Sequence, residues 1–362
     1  MNPPNFSSWL EQEPFSLDSA NKSKNLTVAL DALTNWHTSR CPEYERVLNV
    51  LGFCNSSYHR VEDIPFIPVR LFKEFDLLSI GRDQVFKTMT SSGTTVQHVS
   101  RIFLDRETAA FQTKVLTRLM GHALGKKRLP MLIIDSPGVL SNRKVFSARG
   151  AGILGFSMFG LDVTYALNDQ MSLNLAAIDS FLERHAGQPI FLFGFTYMIW
   201  QYFVLPLRQR KMQLAIANGV LLHGGGWKKL QDLAVDNVTF RASLHEVAQI
   251  RRVVNYYGMV EQAGTIYLEC EKGHLHAPIY SDIVVRNHID FSPSPMGEEG
   301  IIEVVSIVPH SYPGHALLTE DMGTILGEDT CPCERLGKYF KVSGRIAQAE
   351  VRGCSDSYEA RS

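Results

Sequence analysis

The sequence is poor in cysteine, with six in 362 residues: Cys41, Cys54, Cys270, Cys331, Cys333 and Cys354. That is too sparse for a disulfide scaffold, so a reducing cytoplasm is the expected setting and the late cysteines become readable as ligands or nucleophiles. It also lacks an excess of either charge. A formal net charge of -1 argues against a nucleic-acid partner, which normally meets a basic excess or stripe. The start, MNPPNFSSWL, has no basic segment followed by an apolar one, so no secretory signal is expected. Long hydrophobic runs are scarce. The most apolar window, Pro189 to Leu207, is interrupted by Gly194, Thr196, Gln201 and Pro206. It predicts a buried strand running into a core helix and no membrane span.

What is present is an ordinary globular composition, 45% apolar and 20% charged. The length suits one large domain or two unequal ones. Leu26, Leu30 and Leu33 fall at helical spacing, and YERVLNVLG adds a short amphipathic helix. IPFIPVRLF is punctuated by proline and is expected to lie over the surface of the downstream elements. Strand-like runs come next: MLIID (131–135), VTYAL (163–167), PIFLFGF (189–195), GVLLHG (219–224) and RVVNYYG (252–258). They alternate with helical stretches such as RETAAFQTKVLTRLMGHAL and MSLNLAAIDSFLERHA. Such alternation predicts an α/β fold with a largely parallel sheet. After about residue 265 short strands and turns predict an antiparallel, β-rich subdomain. The expected division is a helical segment (1–64), an α/β core (65–265), a β-rich part (266–344) and a short tail (345–362).

One stretch calls for chemistry. TSSGTTVQHVS comes after the strand-like QVFKTMT, and Ser91, Ser92, Gly93, Thr94 and Thr95 make a poor helix. Hydroxyls and backbone N–H groups in a loop between a strand and a helix suit a polyphosphate. No Gly-Lys-Ser/Thr comes after it, so it is not the common nucleotide P-loop. Taken alone, it fits a plain polar turn better than a phosphate site.

NYYGMVEQAG (255–264), LLTEDMGTIL (317–326) and KVSGRIAQAEVRG (341–353) come next, in that order. Together with the hydroxyl loop they resemble the core motifs of the adenylate-forming enzymes. SYPGHALLTEDMG, LHGGGWK, the CPC run and the terminal AEVRGCSD look like the acyl-protein synthetases of LuxE type, relatives of phenylacetate–CoA ligases. The resemblance runs from about Pro65 to the C-terminus, with little carried by the first sixty residues. It implies the adenylate-forming large domain, with mostly parallel sheets, helices and a β-rich subdomain. It implies ATP and Mg2+ as cofactors, and a fatty acid or other carboxylic acid as substrate. Carried over by position, Ser91 to Thr95 contact the phosphates, Gly224, Gly225, Gly226 and Tyr257 flank adenine, Glu261 holds magnesium, Asp321 the ribose, and Arg345 the ribose or a phosphate.

The sequence departs from the pattern in three places. Val260 stands where a threonine is usual. The hydroxyl loop ends in Val96 and Gln97 in place of glycine and lysine, and Arg101 is the residue expected to restore the charge. The chain runs seventeen residues beyond Arg345, so the C-terminal domain is expected to be truncated. Cys354 lies in a polar tail beside Gly353, with Arg352 two residues before it, a setting that lowers a thiol's pKa. The resemblance implies that Cys354 accepts the acyl group as a thioester and delivers it to a partner reductase or another acceptor protein. A carboxylate–CoA ligase and a non-catalytic nucleotide-binding subunit are the alternatives.

CEKGHLH and CPC form a second constellation. Tetrahedral zinc takes four thiolate or imidazole ligands, and Cys270, His276, Cys331 and Cys333 are the expected set for a structural ion. Phe191, Phe193, Phe195, Tyr197 and Trp200 fit either a buried strand and helix or an acyl tunnel.

Overall fold

The computed structural model describes residues 3–53, 57–91, 99–140, 148–227 and 232–346. Its helices are α1 (Ser19–Thr38), α2 (Pro42–Val50), α3 (Leu71–Glu74), α4 (Arg106–Leu124), α5 (Ala148–Ser157), α6 (Leu175–Arg184), α7 (Thr196–Ile199), α8 (Leu205–Gln209) and α9 (Asn237–Ala248). The first strands are β1 (Ile67–Pro68), β2 (Lys87–Thr90), β3 (Arg101–Leu104), β4 (Leu129–Ile133), β5 (Gly160–Tyr165), β6 (Ile190–Phe195), β7 (Gly219–Gly224) and β8 (Arg252–Tyr257). They are followed by β9 (Tyr267–Glu269), β10 (Leu275–His276), β11 (Ser281–Arg286), β12 (Glu299–Ser306), β13 (Ala316–Glu328) and β14 (Lys338–Arg345). The chain divides into two compact units, one made of residues up to 119 and from 258 onward, the other Met120–Tyr257.

The first unit is built on antiparallel strands in the order β11-β12-β13-β14-β10-β9. Ile283, Ile302, Val305 and Leu317 are fully buried, as strands covered on both faces require. α1 supplies part of the cover. Its N-cap Asp18 accepts from the Asn21 N–H at 2.9 Å, which satisfies an otherwise orphaned donor of the first turn. Leu26, Leu30 and Leu33 line its fully buried face. Polar side chains fix its position: the Trp36 indole donates to the His310 carbonyl at 2.9 Å, and Lys22 donates to the Ala277 carbonyl at 2.9 Å.

The proline-punctuated segment expected on the surface is instead part of this core. β1 runs parallel to β13, with Ile67 opposite Leu317 and Pro68 opposite Leu318, and Ile64, Ile67 and Phe72 are fully buried. Proline lacks a backbone donor and is therefore confined to sheet edges and strand ends. A two-residue strand beside β13 meets that restriction.

The second unit is a parallel sheet in the order β8-β7-β6-β4-β5. β6 and β7 are buried at every residue, which explains why they read as continuous apolar runs. Phe193 packs on Phe156 with ring centroids 4.7 Å apart and on Phe195 at 5.8 Å. Together with buried Phe191 and Trp200, these aromatics make the core. The apolar window splits into β6 and the helical run α7 to α8, and Pro206 comes just after a π-turn at Trp200–Val204. Proline removes one ladder donor and clashes with the preceding turn, and a π-turn widens the helix there. Among the described residues no helix is long and apolar enough to cross a membrane.

Candidate active site and metal centre

In the sequence the hydroxyl run falls between two strands of the first unit. β2 and β3 pair antiparallel, Thr90 opposite Arg101, and the next two residues close the ladder. Ser91 N–H donates to the Ser100 carbonyl at 3.1 Å, and Ser100 N–H donates to Ser91 Oγ at 2.9 Å. Ser92, Gly93, Thr94 and Thr95 lie outside the described residues. A strand, β3, rather than a helix comes after the run, and α4 begins only at Arg106. Arg101, expected to restore the loop's missing charge, is held by Asp76, with Nε at 2.8 Å and a terminal nitrogen at 2.7 Å.

Glu261 stands in a single 3-10 turn, Val260–Gln262, that its neighbours hold rigidly. The Gln262 side-chain amide donates to the carbonyls of Val304 at 3.0 Å and Gly314 at 2.8 Å. Tyr312 Oη donates to the Glu261 carbonyl at 2.9 Å. Gly264 has φ +91, and a Cβ there would lie 2.7 Å from the Gln112 Cα on α4, so only glycine lets the loop approach that helix. Glu261 is 7% exposed. Burial raises its pKa, while the Ser100 hydroxyl and the charges of Lys73 and Arg345 pull it down. A buried carboxylate with cations near it is suited to take a metal or to face phosphate oxygens through one.

Asp321 and Arg345, read from separate motifs, are direct partners across β13 and β14. Arg345 Nε lies 3.3 Å from Asp321 Oδ1. The Asp321 N–H donates to Thr319 Oγ1 at 3.1 Å, within β13. In the second unit Gly225 and Gly226 come directly after β7, and Tyr257 ends β8. A Cβ on Gly224 would meet the Tyr256 ring at 2.6 Å, so this glycine lets Tyr256 fold into the core, where it packs on Phe156 at 5.1 Å. Alternation along β8 then turns Tyr257 to the opposite face. Near the end of β7 stands buried His223, whose Nδ1 is 2.9 Å from Thr196 Oγ1. The ends of parallel strands are where α/β sheets take ligands.

Sequence reasoning missed Lys73 and Ser100. Their signal is tertiary: α3 and β3 bring them to a loop more than a hundred residues downstream.

The structure brings together the four residues expected to ligate a metal. The ligand atoms of Cys270, His276, Cys331 and Cys333 all lie within 4.8 Å of one another. Cys270 comes directly after β9, His276 ends β10, and the two other cysteines sit in the turn between β13 and β14. Cys270 and Cys331 sulfurs are 3.9 Å apart, and Cys333 Sγ is 3.3 Å from His276 Nε2. Two sulfurs bound to a tetrahedral zinc stand about 3.8 Å apart, and a sulfur and an imidazole nitrogen about 3.6 Å. The donor set and its spacing fit such an ion. Burial holds the His276 pKa down to about 3, which keeps the imidazole neutral and able to ligate. Burial pushes the Cys333 thiol up to about 12, a cost that a bound cation reverses. His274 Nδ1 also lies 3.3 Å from Cys331 Sγ.

The fold belongs to a known class. The chain superposes on 2-hydroxyisobutyryl-CoA ligase, solved in an open conformation with 2-HIB-AMP and CoA, with a TM-score of 0.72 at 15% identity, over 96% of this chain and 80% of that one. For the same ligase in the postadenylation state the TM-score is 0.71 at 15% identity, over 95% and 72% of the two chains. The fold is that of the adenylate-forming ligases.

Within it, the chain belongs to the acyl-protein synthetase (LuxE) family, whose sequence model matches residues 7–361; it is an AMP-forming acid–thiol ligase. The match takes in the helical N-terminal segment that carries little of the motif resemblance. A long-chain-fatty-acid–luciferin-component ligase of Aliivibrio fischeri is 22% identical over 333 residues, 88% of this chain and 84% of that protein. The protein of the same name from Vibrio harveyi is 23% identical over 350 residues, 93% and 88% of the two chains.

Proposed function

We propose that the chain activates a long-chain fatty acid with ATP and magnesium and passes the acyl group to Cys354. The observation that supports this most is the first unit's arrangement of buried Glu261 near Arg345, itself paired with Asp321, in a fold whose relatives are AMP-forming ligases. A carboxylate oxygen of the acid attacks the α-phosphorus of ATP, and the bond from that phosphorus to the bridging oxygen of pyrophosphate breaks. Asp321 takes the ribose hydroxyls, Arg345 the ribose or the phosphate, and Ser91 to Thr95 the outer phosphates. Gly225, Gly226 and Tyr257 take the adenine. Glu261 would hold magnesium, which when bound offsets the charge of the phosphates. The Cys354 thiolate then attacks the acyl carbon; the bond to AMP breaks and a thioester forms for delivery to a partner reductase. A cytoplasmic, reducing setting keeps that thiol free.

Cys270, His276, Cys331 and Cys333 would hold a structural zinc, with all four positions filled by protein and none left for substrate.

Incubation with radiolabelled fatty acid and ATP tests the reading. The expected product is a hydroxylamine-sensitive label on the wild-type protein that Cys354→Ser loses. An unlabelled wild type contradicts it. Turnover retained by Cys354→Ser with coenzyme A as acceptor favours a carboxylate–CoA ligase, and ATP binding without turnover favours a nucleotide-binding subunit.

A further inference from the structure

The turn between β13 and β14 holds Cys331 and Cys333, and it also grips the start of α1. The Arg335 guanidinium lies over the Phe15 ring at 4.8 Å, and the Leu336 N–H donates to the Phe15 carbonyl at 3.3 Å. Phe15 is buried and meets the His276 imidazole edge-on at 6.1 Å. The Ser19 N–H donates to the Asp329 carboxylate at 2.9 Å, which also accepts from the Gly337 N–H at 2.7 Å. Residues 15–19 thus dock on the ligand-bearing turn. The strands it joins carry Asp321 opposite Arg345 at their other end.

The three sulfurs of the cluster differ in access. Cys270 and Cys331 are 2% and 4% exposed, and His274 Nδ1 stands 3.3 Å from Cys331 Sγ. Cys333 is half-buried between exposed Pro332 and Glu334. Oxidation of a thiolate follows its exposure, and a bound cation keeps a ligating thiol deprotonated. We propose that Cys333 is an oxidation site for hydrogen peroxide, and that Cys270 resolves the product as a disulfide that ends metal binding. The inference rests on the zinc reading above.

The Cys333 thiolate attacks one peroxide oxygen. The O–O bond breaks, leaving a sulfenic acid and a hydroxide that takes up a proton as water. The Cys270 thiolate then attacks the Cys333 sulfur, the S–O bond breaks, and the second hydroxide leaves as water in the same way. Two electrons have passed from the two sulfurs to the peroxide. Cys270 is within reach, because its sulfur and that of Cys333 lie within 4.8 Å of each other. A bond from Cys331 to Cys333 would instead close a small ring across Pro332, whose φ is fixed, and store strain. With Cys270 and Cys333 joined, His276 and Cys331 remain, too few for a tetrahedral ion. The turn then loses the coordination that shapes it, and with that its hold on Phe15 and Ser19.

The test treats the zinc-loaded wild-type chain with hydrogen peroxide and reads a chromogenic zinc chelator, disulfide mapping by mass spectrometry, and hydrogen exchange. One zinc should leave per chain as a Cys270–Cys333 disulfide forms, and exchange should rise over residues 15–19 and 329–337. Dithiothreitol with added zinc should reverse all three changes. Cys333→His keeps four ligands and should bind zinc, yet release it about tenfold more slowly under peroxide. Zinc retained by the wild type under peroxide overturns the proposal. So does release from Cys333→His at the wild-type rate, or a disulfide that leaves out Cys333. Zinc release with unchanged exchange over residues 15–19 overturns the coupling to α1. A wild-type chain that neither carries zinc nor takes it up overturns the zinc reading itself, and the oxidation site with it.

Discussion

The two units solve the problem of a buried interior differently. The second fills its parallel sheet with apolar side chains, with Phe191, Phe193, Leu192 and Leu221 fully buried and Tyr256 turned inward over Gly224. The first buries ions. Lys22 and Lys338 share the Asp282 carboxylate at 3.2 and 3.3 Å, Lys338 also approaches Glu62 at 3.5 Å, and Arg286 pairs with Glu303. Apolar cores are tolerant of volume-conserving change, whereas buried ions are strongly destabilising when one partner is lost. The difference teaches that the unit carrying Glu261, Asp321 and Arg345 derives its geometry from several buried charges and, with an ion on Cys270, His276, Cys331 and Cys333, should respond to chelators. Among its described residues the other unit buries one ion pair, Arg149 with Asp135 at 2.8 Å, and His223, whose pKa burial holds down to about 3. It should respond to acid but not to chelators.

The largest effect is expected at Arg286. Glu303 is fully buried, so Arg286→Ala leaves an uncompensated carboxylate and should cost about 4 kcal/mol in urea denaturation. Replacing the pair together, with Arg286→Met and Glu303→Leu, should cost far less. Equal costs for the single and double variants would contradict a core organised by ion pairs.

Next in size is metal removal. A chelator, or Cys331→Ser, should lower stability by about 3 kcal/mol, the linkage for an ion at a hundredfold over its dissociation constant. Hydrogen exchange should rise along β13 and β14 and stay unchanged along β6 and β7. Native mass spectrometry should find one zinc per wild-type chain and none in Cys331→Ser.

His315 gives the pH test. It is fully buried, with Nε2 3.0 Å from Thr34 Oγ1 and its ring stacked 4.9 Å from His37. Burial depresses its pKa to about 3, against about 6.5 in the unfolded chain. The unfolded state therefore binds the extra proton between those values. The stability is present above the unfolded pKa and is lost as pH falls toward the folded one. His315→Asn should flatten the slope by about 1.4 kcal/mol per pH unit between pH 6 and 4. Glu303, pushed up to about 7 by burial, acts oppositely, losing stability as pH rises toward 7, so the difference between variant and wild type is the quantity to measure.

The smallest effect belongs to the second unit. Phe193→Leu should cost about 1–2 kcal/mol, by the same amount at pH 5 and pH 8 and with or without chelator. A chelator-dependent cost there would erase the contrast between the units.

Much of this was legible in the sequence where signals are local. The helical reading of RETAAFQTKVLTRLMGHAL matches α4, and GVLLHG matches β7. The grouping of Cys270, His276, Cys331 and Cys333 was legible because CEKGHLH and CPC each place their cysteines and histidines within a few residues of one another. β3 was missed because four residues beside a glycine-containing run of hydroxyls carry almost no periodicity. The burial of IPFIPVRLF was missed because its partner strand lies some 250 residues downstream. Lys22, Glu62, Asp282 and Lys338 are scattered along the chain, and only the fold makes a network of them. Lys73 was hidden for the same reason, since a lysine after a proline-punctuated run looks like any solvated residue.

Carboxylate-dependent exchange of labelled pyrophosphate into ATP by the wild-type protein tests the central claim most directly. The account predicts exchange that requires both a long-chain fatty acid and magnesium. Bound ATP with no exchange at any chain length of acid would contradict it.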